Sequence, residues 1–272
     1  MRSIRNGITA VRSGGWHYSE AGTGRPLVLL HGIGMSHFVW SAVTPHLCPT
    51  RRVIAFDTAG FGFTPPLPEG TVPTIPRLVE DLEKSMRQIG IELPVDIAGS
   101  SLGGYMALEA ARRGIARSVV AICPAGLWKE HPEPHVQYVF SALRFAATRF
   151  PTALKAVVRV PLLREAAFAV PISVGCRRMP ADAAVRVVED LATSRAFEAT
   201  FEASRTPFSG TDITVPVTVA FGDRDYIVTK SSRCRHGLPA HTRWFTVSSW
   251  GHVPMWVDPI GVSRLILEGT GG

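Results

Sequence analysis

The sequence predicts an α/β protein: a mostly parallel, eight-stranded sheet with helices on both faces and an all-helical insertion between two of its strands. Three observations carry this. Short, nearly unbroken apolar runs recur along the chain, helical periodicity fills the intervals between them, and one stretch of about 80 residues has no strand pattern at all. At 272 residues, 46% hydrophobic and 19% charged, the chain can build one sizeable core. Its 25 Gly and 21 Pro are scattered singly without a period, which excludes collagen-like and low-complexity architectures.

Taken in order, residues 4–12 and 15–20 read as an opening hairpin turned at Ser13-Gly14-Gly15. Residues 26–31, 52–57, 94–99, 117–123 and 215–221 are short, nearly continuous apolar runs, as parallel strands covered on both faces are, and 241–247 is a late strand. Between them Val79, Leu82 and Met86 recur at helical spacing, as do Met106, Ala107, Ala110 and Ala111 after Leu102. From Leu127 to Pro207 only helix-like stretches occur: 136–148, 152–158, 164–169, 181–192 and 196–204, punctuated by prolines. That is too long for a connection, so a lid over the crevice at the carboxyl ends of the strands is expected. The predicted organisation is a core of residues 1–126 and 208–272 with a cap of residues 127–207.

The formal net charge of +7 comes from arginines dispersed from Arg2 to Arg264, without a basic run or a nucleic-acid-binding motif, so no nucleic-acid partner is expected. Cys48, Cys123, Cys176 and Cys234 lie far apart, with neither zinc-finger nor disulfide-framework spacing, and no metal or cofactor is implied. Met1–Gly7 is followed by no apolar signal segment, and no uncharged run reaches membrane-spanning length. A reduced, cytoplasmic protein without a membrane span, monomeric or homodimeric, is the expectation.

Four signals follow strands. Gly99-Ser100-Ser101-Leu102-Gly103 is a G-x-S-x-G turn from strand to helix, which projects the Ser101 hydroxyl and sets it at a helix N-terminus. A serine hydroxyl needs a base and an orienting acid to attack at neutral pH. His252, after the last strand, is the candidate base. The candidate acid lies in Gly222-Asp223-Arg224-Asp225, where local chemistry alone does not separate Asp223 from Asp225. His31-Gly32-Ile33-Gly34 can turn the Ile33 N–H inward beside that of Leu102, giving two backbone donors for a developing oxyanion.

With these pieces in the order H-G-x-G (His31–Gly34), D-x-x-G-x-G-x-[ST] (Asp57–Thr64), nucleophile elbow (Gly99–Gly104), G-x-x-D (Gly222–Asp225) and G-H-x-P (Gly251–Pro254), the sequence resembles the α/β-hydrolase superfamily over essentially its whole length. The resemblance implies a cap inserted after the sixth strand, selects Asp225 as the acid, and makes Asp57 structural. It sets the chain apart from haloalkane dehalogenases and epoxide hydrolases, which carry an aspartate where Ser101 stands. It also differs from meta-cleavage C–C hydrolases, which usually have Asn where Ser100 stands.

The function expected is a cofactor-free, carboxylesterase-like serine hydrolase that cleaves carboxylic esters through an acyl-enzyme. The alternatives are a C–C bond or lactone hydrolase with the same triad, an acyltransferase, and a non-catalytic binding module. Phe140, Phe145, Phe150, Phe168, Phe197 and Phe201 make an apolar cap, about half of them expected to serve as packing, which suits a small ester with apolar acyl or aromatic groups. Met35, Phe38 and Trp128 are the candidate pocket-lining residues.

Overall fold

The computed structural model describes residues 15–271. Seven strands form one sheet: β1 (Tyr18–Ala21), β2 (Arg25–Leu30), β3 (Arg51–Phe56), β4 (Val95–Ser100), β5 (Ala116–Ile122), β6 (Val217–Gly222) and β7 (Arg243–Val247). Their spatial order is β1-β3-β2-β4-β5-β6-β7, with β1 antiparallel to β3 and every other pairing parallel. The expected count of eight is corrected to seven among the described residues, because the predicted strand at 4–12 lies outside them. For the same reason the helical insertion follows the fifth described strand.

Every residue of β4 and β6 is buried, the result of helices covering both sides of a parallel sheet. The helices of this layer are α1 (Thr44–Leu47), α2 (Ile75–Gln88), α3 (Leu102–Arg112) and α9 (Pro259–Gly269). α2 buries Leu78, Val79, Leu82 and Met86 on one stripe and pairs Glu80 with Lys84 and Glu83 with Arg87 on the other, so its amphipathic pattern fixes its orientation. α3 carries small residues, Ala107, Ala110 and Ala111, where it packs on β4 and β5.

Residues 127–207 contain no strand. They form α4 (Pro134–Arg149), α5 (Pro151–Arg159), α6 (Pro161–Phe168), α7 (Ala181–Thr193) and α8 (Phe197–Ala203). Proline opens α4, α5 and α6, where its missing N–H costs nothing because first-turn N–H groups have no helical partner.

One buried polar contact ties α7 to the core. Asp190 accepts hydrogen bonds from the Ser36 hydroxyl and from Arg186 Nε at 2.7 Å, and the Arg186 guanidinium stacks over Phe38 at 4.3 Å. Burial dominates and pushes the Asp190 carboxyl from its ordinary 3.8 up to about 6. A carboxyl raised on folding costs stability once it ionises, so this cost grows as pH rises from about 4 to about 6 and then levels. Asp190→Asn is therefore expected to gain about 3 kcal/mol relative to the parent between pH 4 and pH 7 in chemical denaturation. Parallel pH curves for the two proteins would refute this.

Candidate active site

The register of the parallel strands assembles the site. Leu30 lies opposite Gly99, Ser100 opposite Ile122, Ile122 opposite Ala220 and Gly222 opposite Val247, so the segments that follow β2, β4, β6 and β7 leave the sheet along one rim. His31, Ser101, Asp225 and His252 sit on those segments.

Ser101 has φ +53°, in the left-handed region that few non-glycine residues adopt. The surroundings hold it there. Its N–H donates to Ile122 O at 2.9 Å, and its carbonyl accepts from Tyr105 N at 3.0 Å and Ala125 N at 3.1 Å. The turn closes so tightly that a side chain at Gly99 would run into the Gly103 carbonyl, and one at Gly103 into that of Leu30.

The Ser101 hydroxyl lies 2.9 Å from His252 Nε2, and His252 Nδ1 lies 3.2 and 3.1 Å from the two carboxylate oxygens of Asp225. All three residues are buried. Asp225 Oδ1 also accepts from the N–H groups of Ile227 and Val228, both at 2.9 Å. Burial by itself would raise this carboxyl, but the neighbouring His252 and these donors outweigh it and hold the group below its ordinary range. Of the two candidate aspartates, Asp225 meets the imidazole, whereas Asp223 is exposed and accepts from Ser249 N at 2.7 Å.

Ile33 and Leu102 both face the cavity over Ser101. Leu102 N is the first N–H of α3, with no helical partner. The Ile33 N–H is oriented by His31. That imidazole is fully buried, which lowers its pKa and leaves it neutral; its Nε2 accepts from Thr58 N at 3.0 Å, so its Nδ1 carries the proton donated to Gly32 O at 2.7 Å. A trans peptide points its C=O and N–H in opposite directions, so holding the Gly32 carbonyl turns the Ile33 N–H the other way. Gly32 itself lies against Ser101, since a Cβ built there would be 3.3 Å from Ser101 Cβ. With the Ile33 N–H as a candidate oxyanion donor, His31→Leu is expected to lower kcat on an ester by about tenfold or more while KM changes less, and also to lower Tm, because the Thr58 N–H loses its acceptor. An unchanged kcat would remove His31 from this role.

The cavity over Ser101 is walled chiefly by apolar side chains, among them Trp128, Val136, Phe140, Phe201, Ile227 and Val228. Trp128 donates its indole N–H to Arg205 O at 2.8 Å, which leaves its apolar face for the wall. Met35 and Phe38 are not on this cavity. They line a second one with Asp190 and Trp256, because the short helical turn at His37–Trp40 carries the chain away from Ser101 toward α7. The phenylalanines of the insertion divide three ways: Phe140 and Phe201 reach the cavity, Phe168 and Phe197 are buried packing, and Phe145 and Phe150 are exposed.

Three neighbours of the site carried no sequence signal. Ser173 Oγ accepts from Gly251 N at 3.0 Å and Ile172 O from Val253 N at 2.8 Å, so the helical insertion braces both sides of His252. Cys123 lies behind Asp225, with burial pushing its thiol pKa well up, which keeps it protonated. A second cluster of possible ligands, His17, His37 and Asp57, is bound up in the core: Asp57 accepts from His37 N at 2.7 Å and Phe63 N at 3.0 Å and pins that turn.

A parallel sheet whose carboxyl rim carries a serine on a strand-to-helix turn, within hydrogen-bond reach of a carboxylate-oriented histidine, defines a class of α/β proteins built for hydrolysis. The chain belongs to the alpha/beta hydrolase family, whose sequence model matches residues 27–264. It is 30% identical over 210 residues to the epoxide hydrolase EphH of Mycobacterium tuberculosis, covering 70% of this chain and 91% of that protein. It is 33% identical over 103 residues to a pimeloyl-[acyl-carrier protein] methyl ester esterase of Legionella pneumophila, covering 37% of this chain and 38% of that one. A thermophilic esterase from Thermogutta terrifontis shares the fold with a TM-score of 0.71 at 20% identity, over 96% of each chain. The protein is a hydrolase, and among the described residues no helix is long and apolar enough to cross a membrane.

Proposed function

We propose that the protein is a serine hydrolase of carboxylic esters, with Ser101 as nucleophile, His252 as general base and acid, and Asp225 as the group that orients and stabilises the imidazolium. The observation that carries this reading is the 2.9 Å approach of His252 Nε2 to the Ser101 hydroxyl. His252 takes the hydroxyl proton as Ser101 Oγ bonds to the ester carbonyl carbon. The N–H groups of Ile33 and Leu102 receive the negative charge that develops on oxygen. Collapse breaks the bond to the alkoxy group, which leaves with the proton from His252, and the same imidazole then activates water to free the acid and Ser101. Residues 127–207 act as the lid that keeps bulk water from the acyl-enzyme.

Epoxide opening, the activity named for the mycobacterial relative, does not suit this serine. Attack by a hydroxyl on an epoxide carbon leaves an ether that an activated water does not hydrolyse, whereas attack on an ester leaves an acyl group that it does. The apolar wall formed by Val136, Phe140 and Phe201 favours esters with apolar acyl or aromatic groups. A series of p-nitrophenyl esters of increasing acyl length, run beside labelling with a fluorophosphonate, tests the reading. Turnover with a short-to-medium optimum and label on Ser101 are expected. A protein that labels at Ser101 but turns over only lactones or vinylogous diketones, or passes its acyl group to an added alcohol in preference to water, would overturn the ester assignment. One that does not label would overturn the nucleophile.

A further inference from the structure

We propose that the outer surface of α4, α5 and α6 is a docking surface for an anionic lipid bilayer. Between Pro134 and Leu163 the chain has no Asp or Glu and four cations, Arg144, Arg149, Lys155 and Arg159. Arg144 pairs with Glu198 and Lys155 with Glu189, but neither Arg149 nor Arg159 has an ion-pair partner among the described residues. Glu165, the first acid beyond this stretch, turns its oxygens onto the N–H groups of Gly175 and Arg177 at 2.6 and 2.7 Å. The side chains of Arg177 and Arg178, next to α6, remain exposed and add to the positive field.

The same three helices also expose apolar side chains. Tyr138 and Phe145 lie two helical turns apart on one side of α4, 76% and 62% exposed, and the Phe145 ring meets that of Phe150 edge-on at 6.1 Å. At the corner between α5 and α6 the four consecutive residues Val160, Pro161, Leu162 and Leu163 are all exposed, Leu162 at 73%. A run of this kind costs free energy in water and marks a contact site. It is not the cavity wall: Val136 and Phe140 face the cavity from α4, and the exposed side chains occupy other positions.

The charge arrangement selects the occupant. Exposed apolar and aromatic side chains, with Arg149 and Arg159 unpaired beside them, match acyl chains beneath anionic headgroups. A two-fold contact with a second copy would instead bring the unpaired Arg149 and Arg159 of the two copies toward one another. The overall charge of +7 favours approach to the same partner.

Flotation of the full chain with vesicles of phosphatidylcholine containing about one quarter phosphatidylglycerol, against phosphatidylcholine alone, tests this at about 0.1 M salt. The protein is expected to float with the mixed vesicles and much less with the neutral ones. Arg149→Gln and Arg159→Gln should each weaken binding about fivefold, and Leu162→Ser with Leu163→Ser about tenfold. These side chains are exposed, so thermal melting and turnover of a water-soluble ester should not move. Failure to float with mixed vesicles, or flotation that these variants leave unchanged, would overturn the proposal. So would a wild-type dimer in sedimentation that the paired leucine variant returns to monomer, since a second copy would then cover the face.

Discussion

Ser101→Ala is expected to lower kcat on p-nitrophenyl esters by about 10⁴-fold or more while leaving KM within a few-fold, because the lost group acts on the transition state and not on ground-state binding. The residual rate would come from the N–H groups of Ile33 and Leu102 and from substrate placement. His252→Ala should fall to a similar level, and the double variant should be no slower than either single one, since a nucleophile without its base and a base without its nucleophile are equally idle. Asp225→Asn should cost about 10³-fold or more: an amide can donate to Nδ1 and so favour the tautomer whose Nε2 carries the proton and cannot accept one from Ser101. Because Asp225 is held below the ordinary carboxylate range, its support of the imidazolium is present at neutral pH and is lost only as pH falls through that lowered value. Ser101→Ala with wild-type turnover would end the mechanism.

Asp96→Ala is expected to destabilise the fold by about 3–5 kcal/mol, lowering Tm by about 10 °C, without changing kcat below the transition. Asp96 lies near the start of β4, at the opposite end of the sheet from Ser101, and accepts from Arg51, from Arg117 Nη2 at 3.0 Å and from Ser118 at 2.8 Å, with Arg25 Nε also 3.0 Å away. Arg25 and Arg117 reach solvent, but Arg51 is only 2% exposed, so the variant leaves one guanidinium charge sealed in the core. Arg51→Met combined with Asp96→Leu should recover much of the loss, since both charges then go together. Asp96 is held below its ordinary range, against burial, by Arg117, Ser118 and Arg51, so its contribution is present above about pH 4 and lost as pH falls further. A melting temperature within a degree or two of the parent would show that Arg51 finds other compensation.

Local chemistry made most of this molecule legible in one dimension. Strands buried on both faces are nearly continuously apolar, a tight strand-to-helix turn is rich in glycine, and a helix that packs on a sheet repeats its apolar residues every three or four positions. The central strands, α2, α3, the strand-free character of 127–207, and the candidates Ser101 and His252 could therefore be read directly, whereas Asp225 was separable from Asp223 only by its place in the family motif. The phenylalanines of the insertion could not be sorted, because a side chain bound for the cavity, the packing or the surface has the same composition. Met35 and Phe38 line the second cavity for a related reason: proximity in sequence to the Ile33 loop says nothing about which way the next helical turn carries the chain.

By itself the sequence determined the fold class, the family and the residue types available for chemistry, since each of these rests on patterns spanning a few residues or on motifs in fixed order. Only the tertiary structure decided that His31 holds the Gly32 carbonyl and that Ile172 and Ser173 brace the loop of His252 from 78 or more positions away. The reason is physical. Hydrogen bonds and burial act over a few ångströms in space, and where those ångströms fall is fixed by sheet register and helix packing, which no local pattern encodes.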